Sequence, residues 1–188
     1  MVKPSARSLA MAPDFTVRLA AIKALWPSYQ AVLSDEEGQG GARIFTLSEQ
    51  MLEAADALTL MATRVAGIPE AHYVNMAGRN RMLSQRIGKF FLFREWPALQ
   101  ETIAELSPQV CAEFESNLRE LAQAAAQQPE LVAQIDVVAQ QWQKFIRALC
   151  PDLAHAGKSK HARLVLSEGD RLLRCVDTTV KLFERLSG

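Results

Sequence analysis

Asn75-Met76-Ala77-Gly78-Arg79-Asn80-Arg81-Met82-Leu83-Ser84-Gln85-Arg86-Ile87-Gly88-Lys89-Phe90 sets three arginines, a lysine and two glycines inside a segment that otherwise reads as a buried helix. On a wheel of 3.6 residues per turn, Met76, Leu83, Ile87 and Phe90 form one apolar stripe. Arg79 and Arg86, seven apart, fall together on one flank of it, while Gly78, Arg81, Gln85 and Gly88 occupy roughly the opposite face. Glycine costs about 1 kcal/mol relative to alanine in a helix interior, so two of them need a reason, such as close approach of another helix. Arginine suits planar oxyanions because its fork of donors matches their geometry. These residues therefore read as an anion-sensing helix.

The core of the stretch, AGRNRMLSQR, resembles the AGRQRMLSQR-type motif of the PilJ / NarX-like sensor modules. Those modules are four-helix bundles of nitrate- and nitrite-sensing histidine kinases and type IV pilus chemoreceptors. The resemblance implies an anion held by motif arginines at a homodimer interface. Gly78 matches the motif glycine, Arg81 the arginine before Met-x-Ser, Ser84 that serine, and Arg86 the arginine after it. Arg79 and Gln85 follow the pilus-receptor version of the motif rather than the nitrate-kinase version. The ligand-binding set expected from the resemblance is Gly78, Arg79, Arg81, Ser84, Gln85 and Arg86.

The 188 residues are 49% hydrophobic and 22% charged, ordinary globular proportions that allow one domain with a real core. Twenty-one basic residues balance twenty-one acidic ones, and a neutral chain argues against nucleic acid as the main partner. No apolar run approaches the roughly 20 residues of a membrane span, and MVKPSARSLAMAPDF lacks the apolar core of a signal peptide. The expected location is cytoplasmic, although the related modules usually lie outside the membrane between two spans. Cys111, Cys150 and Cys175 form no close pair and read as reduced, buried thiols. Cys150, His155 and His161 cluster near one loop, but their spacing fits no standard zinc pattern.

Outward from the arginine helix, apolar periodicity predicts an all-α protein. Pro13 and Asp14 open a first helix whose apolar positions are Phe15, Leu19, Ile22, Leu25 or Trp26, Tyr29 and Leu33. Pro27 interrupts that run, where a kink is expected. A polar, glycine-rich loop follows, then a second helix over about 42–66 with Leu47, Met51, Leu58 and Met61 or Val65 inward. Gly67-Ile68-Pro69 marks a bend before the arginine helix, which runs to about Arg94 and closes at Trp96-Pro97. A short helical piece over 98–106 leads to Ser107-Pro108, read as an N-cap and first helical position. That helix carries Val110, Phe114, Leu118 and Leu121. Two more helices, from Pro129 to Cys150-Pro151 and from about His161 to Leu186, complete the chain.

Pro13…Trp26 and Pro129…Trp142 share their internal spacing, Tyr29 aligns with Phe145, and Leu33 with Leu149. Leu47-Ser48-Glu49 matches Leu166-Ser167-Glu168 in the helix that follows each. Residues 12–67 thus look like an earlier copy of 128–186, a repeat at the scale of a helix pair. Trp26 and Trp142 are expected as core anchors. Ser48-Glu49 and Ser167-Glu168 are expected to lie on helix faces, with capping or pairing to arginines as the other option. The domain reading is a flexible N-terminus over 1–11, an N-terminal helix pair over 12–68, and a four-helix sensor module over 69–188 packed with that pair.

No phosphate loop, no Cys/His or Ser/His/Asp set and no paired Glu-x-x-His pattern stands out, so an enzyme, a cofactor or a metal is not expected. The leading expectation is a small-oxyanion sensor for nitrate or nitrite, homodimeric and without its own output domain, acting through a separate signalling or regulatory protein. The alternative is a structural or adaptor bundle whose arginines bind an acidic protein surface or make internal ion pairs.

Overall fold

The computed structural model describes residues 13–34, 40–66, 69–150 and 158–186. They form six α-helices and one 3₁₀ turn: α1 (Pro13–Leu33), α2 (Gly41–Ala66), α3 (Pro69–Phe93), the turn Pro97–Leu99, α4 (Gln100–Ala124), α5 (Pro129–Ala148) and α6 (Lys158–Leu186). The described residues contain no strand, as the apolar periodicity predicts.

Helices α3 to α6 close a ring in which α3 packs on α4 and α6, and α5 packs on the same two. Each neighbour runs antiparallel, because every connection is short. The core of the ring is Phe114, Trp142, Phe145, Leu83, Phe90 and Leu172, all 2% exposed or less. Trp142 stacks on Phe114 with ring centroids 4.1 Å apart, and its indole N–H donates to Glu115 at 3.1 Å. A side chain at Gly169 would meet the Phe145 ring at 3.2 Å, so glycine there lets α5 settle against α6. Asn80, buried in α3, donates to the Phe114 carbonyl at 3.2 Å and accepts from Asn117 at 3.0 Å, which ties α3 to α4 in one register.

The first two helices pack differently. Helix α1 lies on α2, and α2 in turn lies on α3. Of their described residues only Val32, Gly41 and Phe45 are buried. Phe45 joins Phe90 and Phe93 at one end of the α2–α3 contact. Gly41 starts α2 against Trp96, whose indole leaves no space for a side chain there.

Four expectations need correction. The short piece over 98–106 and the helix expected from Ser107-Pro108 are one continuous α4. Ser107 does not cap; its hydroxyl donates back to the Ile103 carbonyl at 2.6 Å. Pro108 is exposed, whereas Ile103, Val110 and Phe114 are buried on one stripe, so an unbroken helix keeps the core contacts and forgoes one amide donor. Trp26 is not a core anchor: it is 48% exposed, because among the described residues no helix covers it as α4 covers Trp142. Cys150 is exposed rather than buried, at the end of α5. Among the described residues the close helix approach expected at Gly78 and Gly88 is not made, since a side chain added at either would meet no atom of another helix within 4 Å. Helix α1 continues through Pro27 to Leu33.

Candidate functional site: the charged seam between α2 and α3

Residues seven apart on a helix lie on nearly the same face, two turns and about 10.5 Å apart. Arg79 and Arg86 are so placed on α3. Glu49 and Asp56 are so placed on α2. The antiparallel register that brings Phe45 to Phe90 therefore brings Glu49 to Arg86 and Asp56 to Arg79. The result is a seam of two ionic clusters along one helix contact.

The first cluster holds two cations on one carboxylate. Glu49 accepts from Arg86 Nε at 3.0 Å, from Arg86 Nη2 at 2.5 Å and from Lys89 Nζ at 2.6 Å. Lys89 also donates to the Ser48 hydroxyl at 2.8 Å. The three charged side chains are only 19–21% exposed. The rings of Phe45 and Phe90 flank the cations: Lys89 lies 5.2 Å from the Phe45 centroid and Arg86 5.3 Å from that of Phe90. Burial works to raise the pKa of Glu49, but hydrogen bonds and charge from Arg86 and Lys89 outweigh it, holding the carboxyl below its usual range. Burial pushes the Lys89 ammonium down; Glu49 opposes this and Arg86 adds to it. The cluster therefore carries one positive charge in excess, in a place where charge is poorly solvated.

The second cluster has the opposite imbalance. Arg79 donates to Glu113 of α4 and to Asp56 of α2, the latter at 2.6 Å. The hydrogen bond to Glu113 leads the causes that raise the Arg79 guanidinium, with burial opposing and Asp56 adding to the rise. Two carboxylates surround one cation.

The six residues expected to bind an anion are thus distributed over different surroundings. Arg79 and Arg86 share the α2–α3 seam. Arg81 is on the other side of α3, half-exposed, and donates to Asp177 of α6 at 3.0 Å. Hydrogen bonds from Lys181 and Arg81 hold the Asp177 carboxyl below its ordinary value. Ser84 is buried, and its hydroxyl donates to the Arg81 carbonyl at 2.7 Å. Gln85 is exposed, and Gly78 faces open space. Lys89, Glu49, Asp56 and Glu113 complete the two ionic clusters but were not among the expected residues. Lys89 lies within the motif stretch, and Glu49 within the Ser-Glu pair for which arginine pairing was an option rather than the default.

Other features lie apart from the seam. An open cleft of about 580 Å³ between α3 and α4 is lined by Tyr73, Arg119 and Glu120, two turns before Arg79 on α3. Burial pushes the thiols of Cys111 and Cys175 up. His161 is buried, with Nε2 2.7 Å from the Ala148 carbonyl, and His155 lies outside the described residues. Among the described residues no group of three metal-binding side chains occurs. No helix among them is long and apolar enough to cross a membrane.

Comparison with known proteins adds one finding to this geometry. No curated protein and no solved structure matches the chain. A family model described as type IV pili methyl-accepting chemotaxis transducer N-term (PilJ) matches residues 69–171, which begin with α3, take in the arginine motif, α4 and α5, and end within α6. More than half of the sequence lies in that match, and the chain belongs to the PilJ family of chemotaxis-transducer N-terminal sensory modules.

Proposed function

We propose that the chain is an oxyanion-responsive sensory module that binds a planar anion, nitrate or nitrite, at Arg86 and Lys89 on the α2–α3 seam and signals through a separate protein. The observation that carries the reading is that these two cations share the single carboxylate of Glu49 in a mostly buried setting. Glu49 engages Arg86 through Nε and Nη2, so Nη1 faces no carboxylate among the described residues. A bound monoanion would neutralise the surplus charge, relieve the depressed Lys89 ammonium and favour the arrangement in which α2 and α3 are drawn together. A shift of α2 along α3 is the change a partner protein would read.

A second reading has its own observation. Arg79 is outnumbered by carboxylates and Arg81 is answered by Asp177, which suits an adaptor bundle whose arginines fasten helices together. Thermal melts in nitrate, nitrite, sulfate and chloride at matched ionic strength separate the two. The sensor reading expects a rise in Tm specific to nitrate or nitrite, by mass action on the folded state. That rise should vanish in Arg86→Ala and Lys89→Ala and persist in Arg81→Ala. Superimposable curves in all four salts would leave the adaptor reading standing.

A further inference from the structure

Helix α6 sorts its charges by face. It carries seven lysines and arginines against four carboxylates, although the chain as a whole is neutral. At about 100° per residue, Lys160, Arg163, Arg171, Arg174, Lys181 and Arg185 fall within an arc of about 80°, a line of cations about 38 Å long. All six are exposed. The ring buries the other side of α6, through Val165, Leu172 and Val176, and the hairpin of α1 and α2 packs on α3 instead. Within the line, Lys160 and Arg163, Arg171 and Arg174, and Lys181 and Arg185 are like charges three or four residues apart, a spacing at which helix neighbours repel. Three of the six are answered: Arg171 by Glu168, Lys181 by Asp177 and Arg185 by Glu130. Lys160, Arg163 and Arg174 have no carboxylate partner among the described residues. A second row, Asp170, Asp177 and Glu184, runs seven apart along one edge of the line, and Asp177 is taken up by Arg81 of α3 and by Lys181.

We propose that this face of α6 docks an acidic helix of the separate protein through which the chain acts. That helix carries carboxylates at three- and four-residue spacing along the line, and a basic row on the edge that meets Asp170 and Glu184. The proposal rests on the reading that the chain signals through a separate protein, and is independent of the anion at Arg86 and Lys89. Charge complementarity selects the occupant. A lipid surface or a nucleic acid presents anions broadly, so it would press on the carboxylate row as well as on the cations. A helix lies along one line and can set the opposite sign against each row, as paired helices do at the edges of their contact. It would also relieve the repulsion that the three like-charged pairs build into α6.

The probe is a labelled synthetic peptide of about four heptads, with glutamate at two positions of each heptad and lysine along the adjoining edge. Its binding to the full chain is read by fluorescence anisotropy. A peptide of the same composition in shuffled order, phosphatidylserine vesicles and duplex DNA are the comparison arms. The expected result is saturable binding of the patterned peptide, about tenfold or more tighter than the shuffled one and weakened by added salt. The double variants Arg174→Glu with Lys181→Glu, and Lys160→Glu with Arg163→Glu, should each weaken it about tenfold or more. Arg43→Glu with Arg119→Glu, the same change of charge at exposed positions off α6, should leave it unchanged. Circular dichroism of each variant separates loss of contact from unfolding. Melts in nitrate run in parallel: a nitrate-specific rise in Tm at the Arg86 and Lys89 seat survives both α6 pairs, so the docking proposal and the anion reading fail separately. A patterned peptide that binds no better than the shuffled one, or whose binding both α6 pairs leave intact, overturns the proposal. So does binding of vesicles or DNA through these cations where the peptide does not bind.

Discussion

Glu49 is a single carboxylate placed where two cations need one, and that makes it the most informative residue to change. Glu49→Gln keeps the shape and removes the charge, leaving Arg86 and Lys89 mostly buried beside each other. The expected loss is about 1–3 kcal/mol of unfolding free energy in chloride, measured by urea denaturation. The pH dependence has a fixed sign. The folded-state carboxyl titrates below its ordinary value of 4.5, so its contribution is complete above that value and disappears as pH falls through the lower folded value. The gap in Tm between wild type and Glu49→Gln should therefore be constant from neutral pH to about pH 5 and close below it. A gap that instead widened in acid would mean the carboxyl is not held by these cations. The two arginines of the seam, Arg79 and Arg86, were legible in the sequence, because arginines seven apart announce a shared face; Lys89 was not. Their partners were not, because Glu49 lies 37 residues from Arg86 and only the hairpin register joins them.

At the scale of the element, periodicity located all six helices, and the miss at Ser107-Pro108 shows what periodicity lacks. Proline's fixed φ suits both the first turn and the interior of a helix, and a serine before it can cap or bond back to its own helix. The seven-residue spacing of Ile103 and Val110 is the clue that one stripe runs through both. It competed with a local signal that looked stronger. Pro108→Ala is the corresponding test. In a continuous α4 it restores an amide donor at an exposed position and should stabilise by about 1–2 kcal/mol, after allowance for the freer unfolded chain. If Pro108 instead opened a helix, the same change would be neutral or destabilising, because the proline would already suit its place.

Across the whole molecule the same sequence pattern has met two fates. Trp142 finds Phe114 and becomes the centre of a closed ring, while Trp26, at the matching position of an earlier helix pair, stays 48% exposed. The sequence makes the two tryptophans look equivalent because local spacing is blind to whether a third helix is present. Burial follows that difference: α1 and α2 contribute Val32, Gly41 and Phe45, whereas each helix of the ring buries a full stripe. Local opening is easiest where few apolar contacts are lost, so the α1–α2 hairpin should exchange its amide hydrogens at a lower free energy than α3–α6. Hydrogen exchange followed by mass spectrometry is the measurement, with α5 peptides around Trp142 as the slowest expected segment. Nitrate bound at Arg86 and Lys89 would add a second effect, slowing exchange in α2 around Glu49 more than in α5, since a ligand protects the openings that would release it. Slower exchange in α5 with none in α2 would place the anion elsewhere in the ring. Equal exchange in all six helices without any anion would mean that the hairpin and ring open as one unit, and that the charged seam couples them more strongly than its few buried contacts suggest.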